Sequence, residues 1–117
     1  MHYLADALKI ENPDIFQKAG IIQFFEVSSE LSWNMLQDYL EEQGFTEVTS
    51  PRSALKKSFE IGIISEGHTW LELLENRNLT SHTYDEETVT TIEKLIREKY
   101  YVMLENLYNT FKIIDNG

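Results

Sequence analysis

The sequence predicts an all-α fold: an up-and-down four-helix bundle with an additional short N-terminal helix. Three observations carry that expectation. Apolar residues recur three and four apart over long stretches, residues suited to helix caps stand at the ends of those stretches, and no apolar–polar alternation runs long enough for a strand.

Residues 3–10 offer one or two amphipathic turns, with Leu4 and Leu8 four apart, before the polar run Glu11-Asn12-Pro13-Asp14. Asp14 is placed to cap the next helix, because its carboxylate can accept from backbone N–H groups that have no partner inside the helix. From Ile15 to Gln43 one row of positions (Ile15, Ala19, Ile22, Phe25, Ser29, Leu36, Leu40) follows the helical period. A second row (Ile21, Phe24, Leu31, Met35) widens the stripe, so this helix is expected to be buried on more than one side. Gly44 supplies the left-handed residue that stops it.

Phe45 to Thr49 is a connector, and Ser50-Pro51 reads as an N-cap followed by a proline at the first helical position. The third helix then runs through Ala54, Leu55 and Phe59 toward Gly62, and a second connector covers Ser65 to His68. Trp70, Leu73, Leu74 and Arg77 begin the fourth. Beyond it, Thr83 and Glu86 have capping-box spacing, and Asp85-Glu86-Glu87 puts negative charge at a helix N-terminus, where the helix dipole favours it. The last helix is expected from about Glu86 to Phe111, with Val89, Ile92, Ile96, Met103 and Leu107 facing inward. Phe24, Phe25, Trp33, Trp70 and Phe111 read as core residues rather than a base-stacking platform. Tyr100, Tyr101 and Tyr108 are placed to serve a helix–helix interface that would suit a dimer.

A chain of 117 residues with 42% apolar content is expected to form one domain over 1–117. The absence of cysteine excludes disulfides, thiolate catalysis and cysteine-ligated zinc. The N-terminus lacks a signal-peptide pattern and no stretch approaches the length of a membrane span, so a soluble cytoplasmic protein is expected, with no membrane partner. The net charge of −10 argues against extended, non-specific binding to nucleic acid, and DNA is not an expected ligand. A small basic cleft on such a molecule can still hold one phosphate.

The densest chemistry lies in Asn76-Arg77-Asn78-Leu79-Thr80-Ser81-His82-Thr83-Tyr84-Asp85. Arg77 is a permanent cation, His82 titrates near neutrality when unperturbed, and Tyr84 carries a nucleophilic hydroxyl, a set suited to phosphate chemistry. On one continuous helix, five residues turn the chain by about 500° and leave Arg77 and His82 about 140° apart. A break near Thr80 to Thr83 would let them converge. The plain alternative is an exposed histidine and an arginine paired with Glu72 or Glu75. Glu26 and Glu30, one turn apart on the second helix, repel each other there, and either one of them hydrogen-bonds Arg77 or both form a solvated acidic edge. His2, His68 and His82 show no metal-ligand spacing, and no cofactor is expected.

Arg77-Asn78-Leu79-Thr80-Ser81-His82-Thr83-Tyr84 resembles the Arg-x4-6-His motif of HEPN domains, in the Arg-x4-His-x-Tyr form of toxins paired with minimal nucleotidyltransferases. The resemblance extends through Phe25-Glu26-Val27-Ser28-Ser29-Glu30-Leu31-Ser32-Trp33, Ser50-Pro51-Arg52 and Trp70-Leu71-Glu72-Leu73-Leu74-Glu75-Asn76. It implies a homodimeric, metal-independent endoribonuclease whose composite site draws on two copies of the motif. Arg77 would stabilise charge on phosphorus, His82 would act as base or acid, and Asn78 would support them. It also implies a minimal nucleotidyltransferase antitoxin that places AMP on Tyr84. Two other readings stay open: a non-catalytic nucleotide- or substrate-binding subunit of a two-component nucleotidyltransferase, and a helical dimer acting only as a scaffold.

Overall fold

The protein, described from a computed structural model, is helical throughout its regular structure over the described residues, 2–80 and 85–116. The elements are α1 (His2–Ala7), α2 (Ile15–Glu42), α3 (Pro51–Glu60), α4 (Gly67–Thr80), α5 (Glu86–Leu95) and α6 (Tyr101–Asn116). A single π-helical turn, Ile96–Tyr100, joins α5 to α6 without a break.

α2 is the axis of the molecule. Its 28 residues extend about 42 Å at the usual helical rise, close to the 45 Å long dimension of the whole structure. Helices α1, α3, α4, α5 and α6 all pack against it. The helix starts where the expected cap stands. Asp14 Oδ1 accepts from the Gln17 N–H at 2.8 Å, and Gln17 Oε1 accepts from the Asp14 N–H at 2.9 Å, which completes a reciprocal capping box. Gly44, at φ +93°, turns the chain out of α2 and lets the Phe45 N–H reach the Leu40 carbonyl at 3.0 Å. At α3, Ser50 Oγ accepts from the Ser53 N–H at 3.1 Å, with Pro51 in the first turn.

Two boundaries and one cap differ from the expectation. α4 begins at Gly67, three residues before Trp70, because the chain leaves Glu66 at φ +57° and the Trp70 N–H already reaches the Glu66 carbonyl at 3.2 Å. Asp85, rather than Thr83, caps α5: its backbone is extended and its carboxylate accepts from the Thr88 N–H at 2.7 Å. The last helix also continues past Phe111 to Asn116.

The main core gathers Leu4, Ile22, Phe25, Leu36, Leu73, Ile92, Ile96 and Leu104 between α1, α2, α4 and the long C-terminal helix. A smaller cluster of Leu40, Val48 and Ala54 seals the far end of α2 against α3. Val89, Ile92, Ile96, Met103 and Leu107 all face inward as their spacing predicts. The second row of α2 splits: Ile21 is fully buried, whereas Phe24 and Leu31 are exposed and form a row with Val27, and Tyr3 of α1 stacks its ring on the Phe24 end at 5.9 Å. Tyr100 differs in the opposite sense. It is fully buried inside one chain, its ring stacked on Phe25 at 5.7 Å, and so is not available to an interface. None of the described helices is long and apolar enough to cross a membrane.

Candidate functional site

Arg77 lies one turn from the end of α4 and turns toward α2. Its guanidinium stands 5.8 Å from the ring centroid of the buried Trp33, and its Nη2 lies 3.8 Å from Glu30 Oε2. The Arg77 side chain is 26% exposed and that of Glu30 is 60% exposed, so solvent screens their attraction. A cation over an indole contributes about 0.5–1 kcal/mol at a partly exposed site. The ring sets the plane on which the guanidinium rests, and Glu30 lies at its side.

Glu26, one turn before Glu30, takes a different partner. Its Oε1 lies 2.7 Å from the hydroxyl of Thr80, which is also 2.7 Å from the Arg77 carbonyl. Thr80 is 2% exposed, so this contact joins α2 to the last turn of α4 in a protected place. The two carboxylates thus share one edge of α2 but act differently: Glu30 faces the cation and Glu26 holds the helix end beneath it. Neither Glu72 nor Glu75 pairs with Arg77. Glu72 Oε2 meets Lys99 Nζ at 2.7 Å, and Glu75 Oε1 lies 3.9 Å from Arg52.

A second polar cluster stands beside the first on α4. Tyr100 donates its hydroxyl to Glu72 Oε2 at 2.5 Å and accepts from Asn76 Nδ2 at 2.6 Å. The Lys99 ammonium, and then the Tyr100 hydroxyl, hold the Glu72 carboxyl below the usual glutamate range. Burial, reinforced by the Glu72 hydrogen bond, pushes the Tyr100 phenol above its ordinary range, so it stays protonated and able to donate.

The extended backbone at Asp85 separates α5 from α4, so Arg77 and the residues after Asp85 do not share one helix. His82 and Tyr84, the expected acid–base residue and modification site, lie outside the described residues. Asn78 is exposed on α4, next to Arg77. Sequence reasoning passes over Thr80, Asn76 and Glu72 as site residues. Thr80 carries one legible signal, a hydroxyl three residues after Arg77 at a helix end, where side chains bond back to carbonyls. Its partner Glu26 is 54 residues away and carries no such signal.

The exposed row of α2, with Val27 51% and Leu31 53% exposed, adjoins the edge that bears Glu26 and Glu30. Beside it a shallow apolar cavity of about 120 Å³ opens between α2 and α6, lined by Leu31, Met35, Leu104, Leu107 and Tyr108.

A bundle organised on one long helix, with an arginine held near the end of its fourth helix, defines a HEPN-type protein. The chain belongs to the family described as nucleotidyltransferase substrate binding protein like, whose model matches residues 2–113. It is 31% identical over 78 residues to a Haemophilus influenzae protein named "Probable ribonuclease HepT", a match covering 63% of this chain and 53% of that one. The matched region thus spans about half the length of that curated relative. The fold also matches the crystal structure of a protein from Thermus thermophilus with a TM-score of 0.84 and 28% identity, covering 92% of each chain.

Proposed function

We propose that this protein is a metal-independent endoribonuclease that works as a homodimer, the toxin of a toxin–antitoxin pair. The observation that carries the reading is the setting of Arg77: a partly buried guanidinium on the Trp33 face, bordered by Glu30 and adjoining the exposed apolar side chains of Val27 and Leu31. The relative named as a probable ribonuclease supports the same activity. A second copy seated on that apolar row would bring two Arg77-to-His82 segments together across a two-fold axis. One His82 then removes the proton from the ribose 2′-hydroxyl, and the freed oxygen attacks phosphorus. The 5′-oxygen leaves with a proton from the other His82, while Arg77 stabilises the charge on the phosphorane. The products are a 2′,3′-cyclic phosphate and a 5′-hydroxyl, and the scheme uses no metal or cofactor.

The antitoxin in this reading is a minimal nucleotidyltransferase that transfers AMP to the Tyr84 hydroxyl. Each adenylate adds bulk and about one negative charge within two residues of His82, where an RNA phosphate would otherwise sit. A second reading is favoured by the family description and by the net charge of −10: a non-catalytic subunit that presents nucleotide or substrate to a nucleotidyltransferase. One experiment separates the two. Purified protein in excess chelator should cut RNA to 2′,3′-cyclic ends, and His82→Ala and Arg77→Ala should each abolish cutting without unfolding the chain. Nucleotide binding that survives His82→Ala, with no cleavage by the parent protein, would establish the second reading. Intact mass after co-expression with the nucleotidyltransferase tests the modification, which Tyr84→Phe should remove.

A further inference from the structure

The π turn Ile96–Tyr100 carries two inward polar side chains that reach different parts of the fold. Arg97 reaches the carbonyls after α1, and Tyr100 reaches α4. A π turn accommodates one residue more than an α turn and rotates everything beyond it by about 100° relative to the preceding helix. Tyr100 closes that turn, with its phenol on the polar side of α4. The same ring stacks on Phe25, whose neighbour in α2 is Glu26, while Asn76, which donates to its hydroxyl, immediately precedes Arg77. The phenol thus spans the two helices that supply Arg77 and its carboxylates.

We propose that Tyr100 is a positioning residue, whose hydroxyl fixes the rotation of the second half of α4 and so holds Arg77 over Trp33 and beside Glu30. The catalytic consequence rests on the reading of Arg77 as the phosphate-binding cation. The apolar contacts of Trp70, Leu73 and Leu74 set how close α4 lies to α2, and the bond from Thr80 to Glu26 checks helix rotation at the last turn. Two short, directional hydrogen bonds one turn apart, to Glu72 and from Asn76, resist it strongly. The stakes are geometric. A guanidinium about 6 Å from the helix axis moves about 2 Å for a 20° rotation, and displacements of about 1 Å in a catalytic group cost up to about 100-fold in rate.

The test is Tyr100→Phe, which keeps the stacked ring and leaves Lys99 on Glu72. The first readout is hydrogen exchange at the Arg77 Nε–H, a buried group, followed by nitrogen-detected NMR and assigned with Arg77→Lys. Exchange should accelerate by about tenfold or more in Tyr100→Phe, while the Arg97 Nε–H, bound to Glu93, keeps its parent rate. The second readout is RNA cleavage, where kcat should fall by about tenfold with KM within about twofold. Glu72→Gln retains an acceptor for the phenol and should preserve both readouts; Glu72→Ala should behave like Tyr100→Phe. Unchanged Arg77 exchange, or equal acceleration at Arg97, overturns the positioning role. A changed exchange rate with an unchanged kcat overturns its catalytic consequence. If the parent protein cuts no RNA, the ribonuclease reading fails, and the exchange measurement still decides whether Tyr100 positions Arg77.

Discussion

Arg77 and Arg97 are nearly equal in exposure, at 26% and 29% of the side chain, yet they are held in opposite ways. The Arg97 fork is directed wholly into the protein: Nη1 donates to the Leu8 carbonyl at 2.7 Å, Nη2 to the Ile10 carbonyl at 3.0 Å, and Nε to the buried Glu93. It binds carbonyls in and just after the turn that follows α1 and ties the N-terminal segment to the C-terminal helix. Arg77 instead rests on an aromatic face, with a carboxylate at 3.8 Å whose own side chain is mostly in solvent. The first arrangement ties two distant segments of the chain together; the second sets a guanidinium on an aromatic face beside a solvent-screened carboxylate. Burial alone does not tell the two apart, and hydrogen-bond geometry does.

The sharpest way to break this contrast is to replace each arginine by lysine, which keeps the charge and loses the planar fork. Arg77→Lys should lower RNA cleavage by about 100-fold or more, an effect of about 3 kcal/mol on the transition state, with the melting temperature nearly unchanged. Equal losses of cleavage at both positions would erase the distinction. Arg97→Ala should be the costlier change for folding, about 2–4 kcal/mol by chemical denaturation, because it leaves two carbonyls and the buried Glu93 carboxylate without their donor. Arg77→Ala in the same assay should cost less than about 1 kcal/mol.

Ser50→Ala provides a smaller reference away from both arginines. Losing the α3 cap should cost about 1 kcal/mol and leave cleavage as it was. The mildest effect is on acid stability. Glu72 is held below its ordinary value of 4.5 by Lys99 and Tyr100, and Asp85 below 3.8 by the Thr88 N–H and then the Thr88 hydroxyl. Because both folded-state values are depressed, the stabilisation is complete above the ordinary values and is lost as pH falls through the folded ones. Melting temperature measured from pH 6 down to pH 3 should decline more steeply below about pH 4.5 in the parent than in Glu72→Gln. Parallel curves would remove Glu72 from the account.

The helical class, and most helix ends, were legible because their causes are local. Asp14 with Gln17, Ser50 with Pro51, and Gly44 at positive φ each act within a few residues of one another, so spacing reveals them. The inner face of the last helix was legible for the same reason. At α5 the capping-box spacing of Thr83 and Glu86 does not mark the cap, which is Asp85, accepting from the Thr88 N–H. For the site, the sequence placed Arg77 near a helix end and Glu26 and Glu30 on one edge of α2, but it could not divide the two carboxylates between the cation and Thr80.

The sequence by itself determined the bundle, its punctuation and the cluster of phosphate-directed residue types around Arg77, since periodicity and capping are properties of neighbouring residues. Only the tertiary structure decided that Phe24 and Leu31 face outward, that Tyr100 is sealed between α2 and α4, and that Trp33 lies beneath Arg77. A helical repeat states which side chains share a face; which neighbour covers that face depends on how whole helices pack. The π turn belongs to the second kind: from it Arg97 meets the segment after α1 while Tyr100 meets α4.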